Sequence, residues 1–156
     1  MIDQAEGSQH SRKEVEHKRP ISVLIAEDED LLIPLLEGAF KMAGGFETTV
    51  VKTTREALQV LRDSKAANNS TDLVFSDLGL EDNEEGGYEI AKVAKDEGLA
   101  EHFILFTGRP PQIKHPQQLE NMGINRIIAK PQDYKGLLKS LNEAKEAILK
   151  SETPQQ

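Results

Sequence analysis

Five short apolar runs punctuate the chain, and each is followed by a polar turn and then a segment with helical spacing. The first, Ile21-Ser22-Val23-Leu24-Ile25-Ala26, is rich in β-branched side chains and too short for a helix. A nearly continuous apolar run of this kind suits a strand buried on both faces. Phe46–Val51, Asp72–Ser76, Phe103–Phe106 and Arg126–Ala129 repeat the pattern. Strict alternation of strand and helix predicts an α/β fold with a five-stranded parallel sheet. Right-handed crossovers then place helices on both faces, a doubly wound (βα)5 sandwich.

The intervening segments carry helix signals. Asp30 is placed to cap a first helix that ends at Gly44-Gly45, with Pro34 near its first turn, where a missing N–H costs least. Thr53-Thr54-Arg55-Glu56 offers a capping box for a second helix to about Ser64. Gly86-Gly87 precedes a third, from about Tyr88 to Glu97. Pro110, Pro111 and Pro116 leave room only for a short fourth helix ending at Gly123. Pro131 and Asp133 open a fifth, to about Leu149, with Leu137, Leu138, Leu141, Ala144 and Ile148 on one face.

A length of 156 residues fits one domain that can bury a core without staples. The expected folded unit spans residues 21–150, between polar extensions at residues 1–20 and 151–156 that are expected to be flexible. The absence of cysteine excludes disulfides, thiolate metal sites and thiol nucleophiles. A formal charge of −8 argues against binding nucleic acid or an anionic membrane surface, both of which call for basic patches. No run is long enough to span a bilayer, and the first residues lack the apolar stretch of a secretory signal. The expected location is the cytoplasm.

Ligands of doubly wound sheets bind beyond the carboxyl ends of the strands, so the residues just after each strand carry the most information. Glu27-Asp28-Glu29-Asp30 follows the first strand, Asp77 the third, Thr107-Gly108 the fourth and Lys130-Pro131 the fifth. Alone, each has a plain structural reading: an Asp after a strand is ordinarily a turn former or helix cap, and Asp30 and Asp133 read that way. Together, they place Glu27, Asp28, Asp77, Thr107 and Lys130 at one edge of the sheet. Three converging carboxylates repel unless one is protonated or a cation sits among them. Hard oxygen ligands suit Mg²⁺, Mn²⁺ or Ca²⁺. A cation, an ammonium and a hydroxyl are what the oxygens of a phosphoryl group need. A carboxylate among them can attack phosphorus and form an acyl phosphate.

On these residues the segment Ile21–Leu149 resembles the receiver domain of two-component response regulators, in particular the stand-alone, single-domain type. The matching stretches are Val23–Glu29, Asp72–Leu80, Phe103–Gly108 and Ala129-Lys130-Pro131. The resemblance implies a flavodoxin-like strand order, 2-1-3-4-5. It implies Asp77 as phosphoacceptor, and Mg²⁺ (or Mn²⁺) held by Glu27, Asp28, Asp77 and the backbone carbonyl of Gly79. It implies that Thr107 senses the phosphoryl group, that Lys130 pairs with it or with Asp77, and that Lys130-Pro131 is a cis peptide. The implied donor is a sensor histidine kinase or a histidine phosphotransfer protein, and the implied output is binding to a downstream protein target. The protein would then be a signalling phosphoacceptor rather than an enzyme.

Some positions depart from the family pattern. Glu27 stands where Asp is common. The loop from Glu81 to Gly87 is longer than usual and adds four acids, read either as a solvated turn or as extra attraction for a cation. Ile127 occupies the place of a switch aromatic. Three other functions compete. An aspartate-nucleophile phosphatase would need a second acid two residues beyond Asp77, where Gly79 stands. A flavodoxin-like cofactor carrier would need a phosphate cradle after the first strand, where four acids stand instead. A degenerate receiver that works by phosphorylation-independent binding would not need the complete set of acids, threonine and lysine.

Overall fold

The computed structural model describes residues 19–130 and 133–152. Most of the two expected flexible extensions and the Lys130-Pro131 peptide lie outside the described residues. The elements follow in strict alternation: β1 (Ile21–Ala26), α1 (Leu32–Ala43), β2 (Phe46–Val51), α2 (Thr54–Ala66), β3 (Thr71–Ser76), α3 (Gly86–Glu97), β4 (Ala100–Thr107), α4 (Pro116–Met122), β5 (Arg126–Ala129) and α5 (Tyr134–Glu152). The five strands form one parallel sheet in the order β2-β1-β3-β4-β5. Fold class and strand order are those expected.

The period of two along each strand divides the core into two layers. Leu24 and Ala26 of β1, Val74 of β3, and Phe103 and Leu105 of β4 face α2 and α3. Val23 and Ile25, Leu73 and Phe75, and Ile104 and Phe106 face α1 and α5. Each helix answers with its own stripe: Leu36, Ala39 and Phe40 on α1, and Leu137, Leu141, Ala144 and Ile148 on α5. Phe40 meets Phe75 edge to face, with ring centroids 5.4 Å apart. Burying such a ring stabilises the fold by roughly 2–3 kcal/mol.

Several boundaries differ from the sequence reading. β4 begins at Ala100, because Thr71 and Leu73 pair with Ala100 and His102 and extend the ladder through polar residues. α3 begins at Gly86, two residues early. The larger correction concerns Asp30. Leu31 stands at the N-cap of α1 without a side-chain cap bond, and the Asp30 carboxylate instead pairs with Lys52 Nζ at 2.6 Å. β1 and β2 are parallel and in register, so the turn after one lies beside the residue after the other. Asp133 does cap its helix, accepting from Gly136 N at 2.6 Å. Thr53 caps α2 by accepting from Glu56 N, but Glu56 reaches Lys52 N rather than completing the box on Thr53 N. No helix among the described residues is long and apolar enough to cross a membrane.

Candidate phosphoryl and metal site

The sheet's hydrogen bonding continues one residue beyond the strands, and this sets the site's geometry. Glu27 N donates to Val51 O at 3.0 Å, Asp77 N to Ala26 O at 2.9 Å, and Lys130 N to Thr107 O at 2.8 Å. The backbones at Glu27, Asp77 and Lys130 are therefore fixed by the ladder rather than left to loops.

The side chains converge. Glu27, Asp28 and Asp77 each offer a carboxylate oxygen, and these oxygens all lie within 4.8 Å of one another. Lys130 Nζ lies 3.3 Å from Glu27 Oε1 and 3.1 Å from Asp77 Oδ2. It also lies over the Phe106 ring, 5.0 Å from its centroid. The second Glu27 oxygen accepts from Glu29 N at 3.2 Å. Asp77 Oδ1 accepts from Leu78 N at 2.7 Å.

Charge and burial compete here. Glu27 is 1% exposed, and that desolvation, with Asp77 beside it, pushes its carboxyl up to about 7 despite the opposing Lys130 ammonium. For Lys130, burial favours the neutral amine, but the carboxylates of Glu27 and Asp77 outweigh it and raise its pKa. With all four groups ionised, three negative charges face one positive charge. A divalent cation removes that excess, and the donor set is all oxygen, so the residues present fit Mg²⁺ or a similar hard ion.

Thr107 and Gly79 are placed nearby without joining that cluster. Thr107 is buried on β4, and its Oγ1 accepts from Arg109 N at 3.0 Å. Its own hydroxyl proton is left to donate. The Gly79 carbonyl takes no hydrogen bond among the described residues. Ile127 is half-buried against the layer that holds α3.

Four contributors were not legible in the sequence. Gly87 lets α3 press on the chain at Asp77: a Cβ there would stand 2.4 Å from Asp77 O and 2.9 Å from Leu105 Cδ1. The Gly-Gly pair signals only a helix start. Asp82, in the acidic loop, neither floats in solvent nor faces the carboxylates. It accepts from Thr54 N at 2.7 Å and Arg55 N at 3.1 Å, capping α2 from another loop. Lys52, just after β2, pairs with Asp30 at 2.6 Å and so ties down the turn after β1. Arg109 crosses from the loop after β4 to the loop after β3, with Nη2 3.5 Å from Glu84 O.

Comparison with known proteins bears on the family and the fold. The response regulator receiver domain family matches residues 23–142. No curated protein matches the chain. Among solved structures, a CheY-like response regulator receiver domain protein from Methanospirillum hungatei is similar, with a TM-score of 0.68 at 22% identity, over 85% of this chain and 98% of the other. The signal receiver domain of an HD domain-containing protein from Pseudomonas fluorescens gives 0.66 at 25% identity, over 86% and 100%. The phosphorylated cyanobacterial phytochrome response regulator RcpA gives 0.62 at 22% identity, over 86% and 97%. With the family matched from β1 into α5 and the same fold in its relatives, the chain belongs to the response regulator receiver domain family.

Proposed function

We propose that Asp77 accepts a phosphoryl group from a phosphohistidine on a sensor kinase or phosphotransfer protein, and that the modified receiver changes its protein partners. The observation that carries this reading is the shared ammonium: Lys130 spans Glu27 and Asp77 at the sheet edge, within a cluster that includes Asp28. Leu78 N–H holds one Asp77 oxygen, which orients the carboxylate toward the cluster. In the transfer, an Asp77 oxygen forms a bond to phosphorus. The bond from phosphorus to the donor imidazole breaks, and its electron pair stays on nitrogen. Glu27, Asp28, Asp77 and the Gly79 carbonyl would hold Mg²⁺. A bound dication supplies charge stabilisation to the phosphoryl oxygens. Lys130 offsets the charge from the other side, and Thr107 donates its hydroxyl to the phosphoryl group.

Helix α1 supports a docking role for the donor. Leu31, Leu35 and Met42 are exposed, and Gly38 lies between them at helical spacing with nothing within 4 Å of its Cβ position. This stripe starts beside the acidic cluster, where a donor histidine must arrive. The proteins that donate and receive would share the cytoplasm with this one. A phosphatase is the weaker reading, because Gly79 leaves no acid two residues beyond Asp77 to protonate a leaving group.

The test is intact mass after incubation with acetyl phosphate and Mg²⁺. Wild type should gain one hydroxylamine-sensitive phosphoryl group, and Asp77→Asn none. Phosphorylation of the Asn variant, or uptake that survives EDTA unchanged, would overturn the assignment.

A further inference from the structure

The period of the strands brings Lys130 over an aromatic ring. Phe106 of β4 and Ile128 of β5 are register partners and share the face of the sheet that packs against α1 and α5. Lys130 follows Ile128 by two residues and returns to that face. Its Nζ lies 5.0 Å from the centroid of the Phe106 ring, within reach of a cation–π contact.

The ring is a fixed platform. Phe106 is 4% exposed, and Phe75 packs against it with centroids 5.2 Å apart. Phe75 in turn meets Phe40 of α1 edge to face. The carboxylates hold the ammonium less closely. Nζ lies 3.3 Å from Glu27 Oε1 and 3.1 Å from Asp77 Oδ2, whereas charge-assisted bonds of this kind run to about 2.7–2.9 Å. A lysine carries its charge on a flexible stem, so two long bonds alone would let it collapse onto either acid. The Lys130 side chain is only 17% exposed. Little water competes for the charge, and a desolvated cation gains more from a ring face than an exposed one does.

We infer that Phe106 is a positioning residue for phosphoryl transfer: its ring face holds the Lys130 ammonium between Glu27 and Asp77, set back from both. An ammonium held there meets the oxygens of an incoming phosphoryl group without first leaving a tight ion pair. The inference rests on Asp77 being the phosphoacceptor.

Truncating so buried a ring would mix packing with charge. The test therefore keeps the ring and changes its electrons. Mono-, di- and trifluorophenylalanine in place of Phe106 weaken the negative ring face step by step. The initial rate of phosphoryl uptake from acetyl phosphate and Mg²⁺ is followed by intact mass, with a thermal melt of each protein. The rate should fall with each fluorine, to about fivefold below wild type for the trifluoro ring, the effect of ~1 kcal/mol. The same series in a Lys130→Ala background should leave its rate unchanged, because the cation is gone; an effect of packing would appear in both backgrounds. Equal rates across the series, or an equal fall with and without Lys130, would overturn the inference while leaving Asp77 in place. A wild-type protein that takes up no phosphoryl group would overturn the function reading and this inference with it.

Discussion

Glu27 is the residue on which the site's charge balance turns. It is buried beside Asp77, and one ammonium serves both. Lys130 is therefore an electrostatic part of the site more than a packing part, although its stem runs past Phe106. In Lys130→Ala the fold should survive, because Glu27 can take up a proton when its partner is gone. Phosphoryl uptake from acetyl phosphate should slow at least tenfold, about 1.4 kcal/mol of transition-state stabilisation. A thermal melt paired with the uptake rate tests both halves: a variant that unfolds, or one that is phosphorylated normally, contradicts this role. The same scale explains Gly87. Alanine is favoured over glycine in a helix by about 1 kcal/mol, but a Cβ here meets the Asp77 carbonyl, so close packing against the site decides the residue.

At the scale of elements, two connections matter. The long acidic loop is tied to α2 by Asp82, whose carboxylate replaces missing partners for the first N–H groups of that helix. Burial pulls the Asp82 pKa up, but the N–H donors of Thr54 and Arg55 outweigh it and hold the pKa below its ordinary 3.8. A depressed carboxyl adds stability that is present above the unfolded value and is lost as pH falls through the folded one. Asp82→Ala should therefore cost about 1 kcal/mol near neutrality, and its deficit relative to wild type should shrink below pH 3.8. Denaturant melts at pH 7 and pH 3 provide the comparison; a deficit that grows in acid contradicts the cap. The second connection is the segment 108–123. Its helix α4 has seven residues and none of them is buried. It is held at its end by Lys95 Nζ on Glu120 O and by Gly123 packed against Ala91 O. Ile127, β-branched and stiff at χ1, takes the place where receivers carry a switch aromatic. Phosphorylation should act mainly by reordering this segment. Hydrogen exchange with a phosphoryl mimic and Mg²⁺ should change most in residues 107–123. The largest change in residues 126–129 or in α5, with 109–123 silent, would mean a different route.

For the whole molecule, the exposed stripe of Leu31, Leu35 and Met42 begins three residues after Asp28 of the acidic cluster. Leu31→Ser should slow transfer from a phosphohistidine protein severalfold while leaving uptake from acetyl phosphate unchanged, since the small donor needs no docking. Equal loss with both donors would place Leu31 in the site rather than at the interface. How much of this was legible depends on the physics at each level. Local apolar runs and their alternation determined the five strands, the doubly wound sandwich and the edge where Glu27, Asp28, Asp77 and Lys130 meet, with Thr107 at the end of β4, because strand period and crossover handedness are local and general rules. Tertiary structure alone decided which of the acids pair and with what. Asp30 reads as a helix cap and is an ion-pair partner of Lys52, whereas Asp82 reads as a solvated turn residue and is the cap of α2. Arg109 and Gly87 owe their places to a neighbouring loop and strand. A side chain's partner across the sheet edge depends on contacts distant in sequence, and neither propensity nor periodicity carries that information.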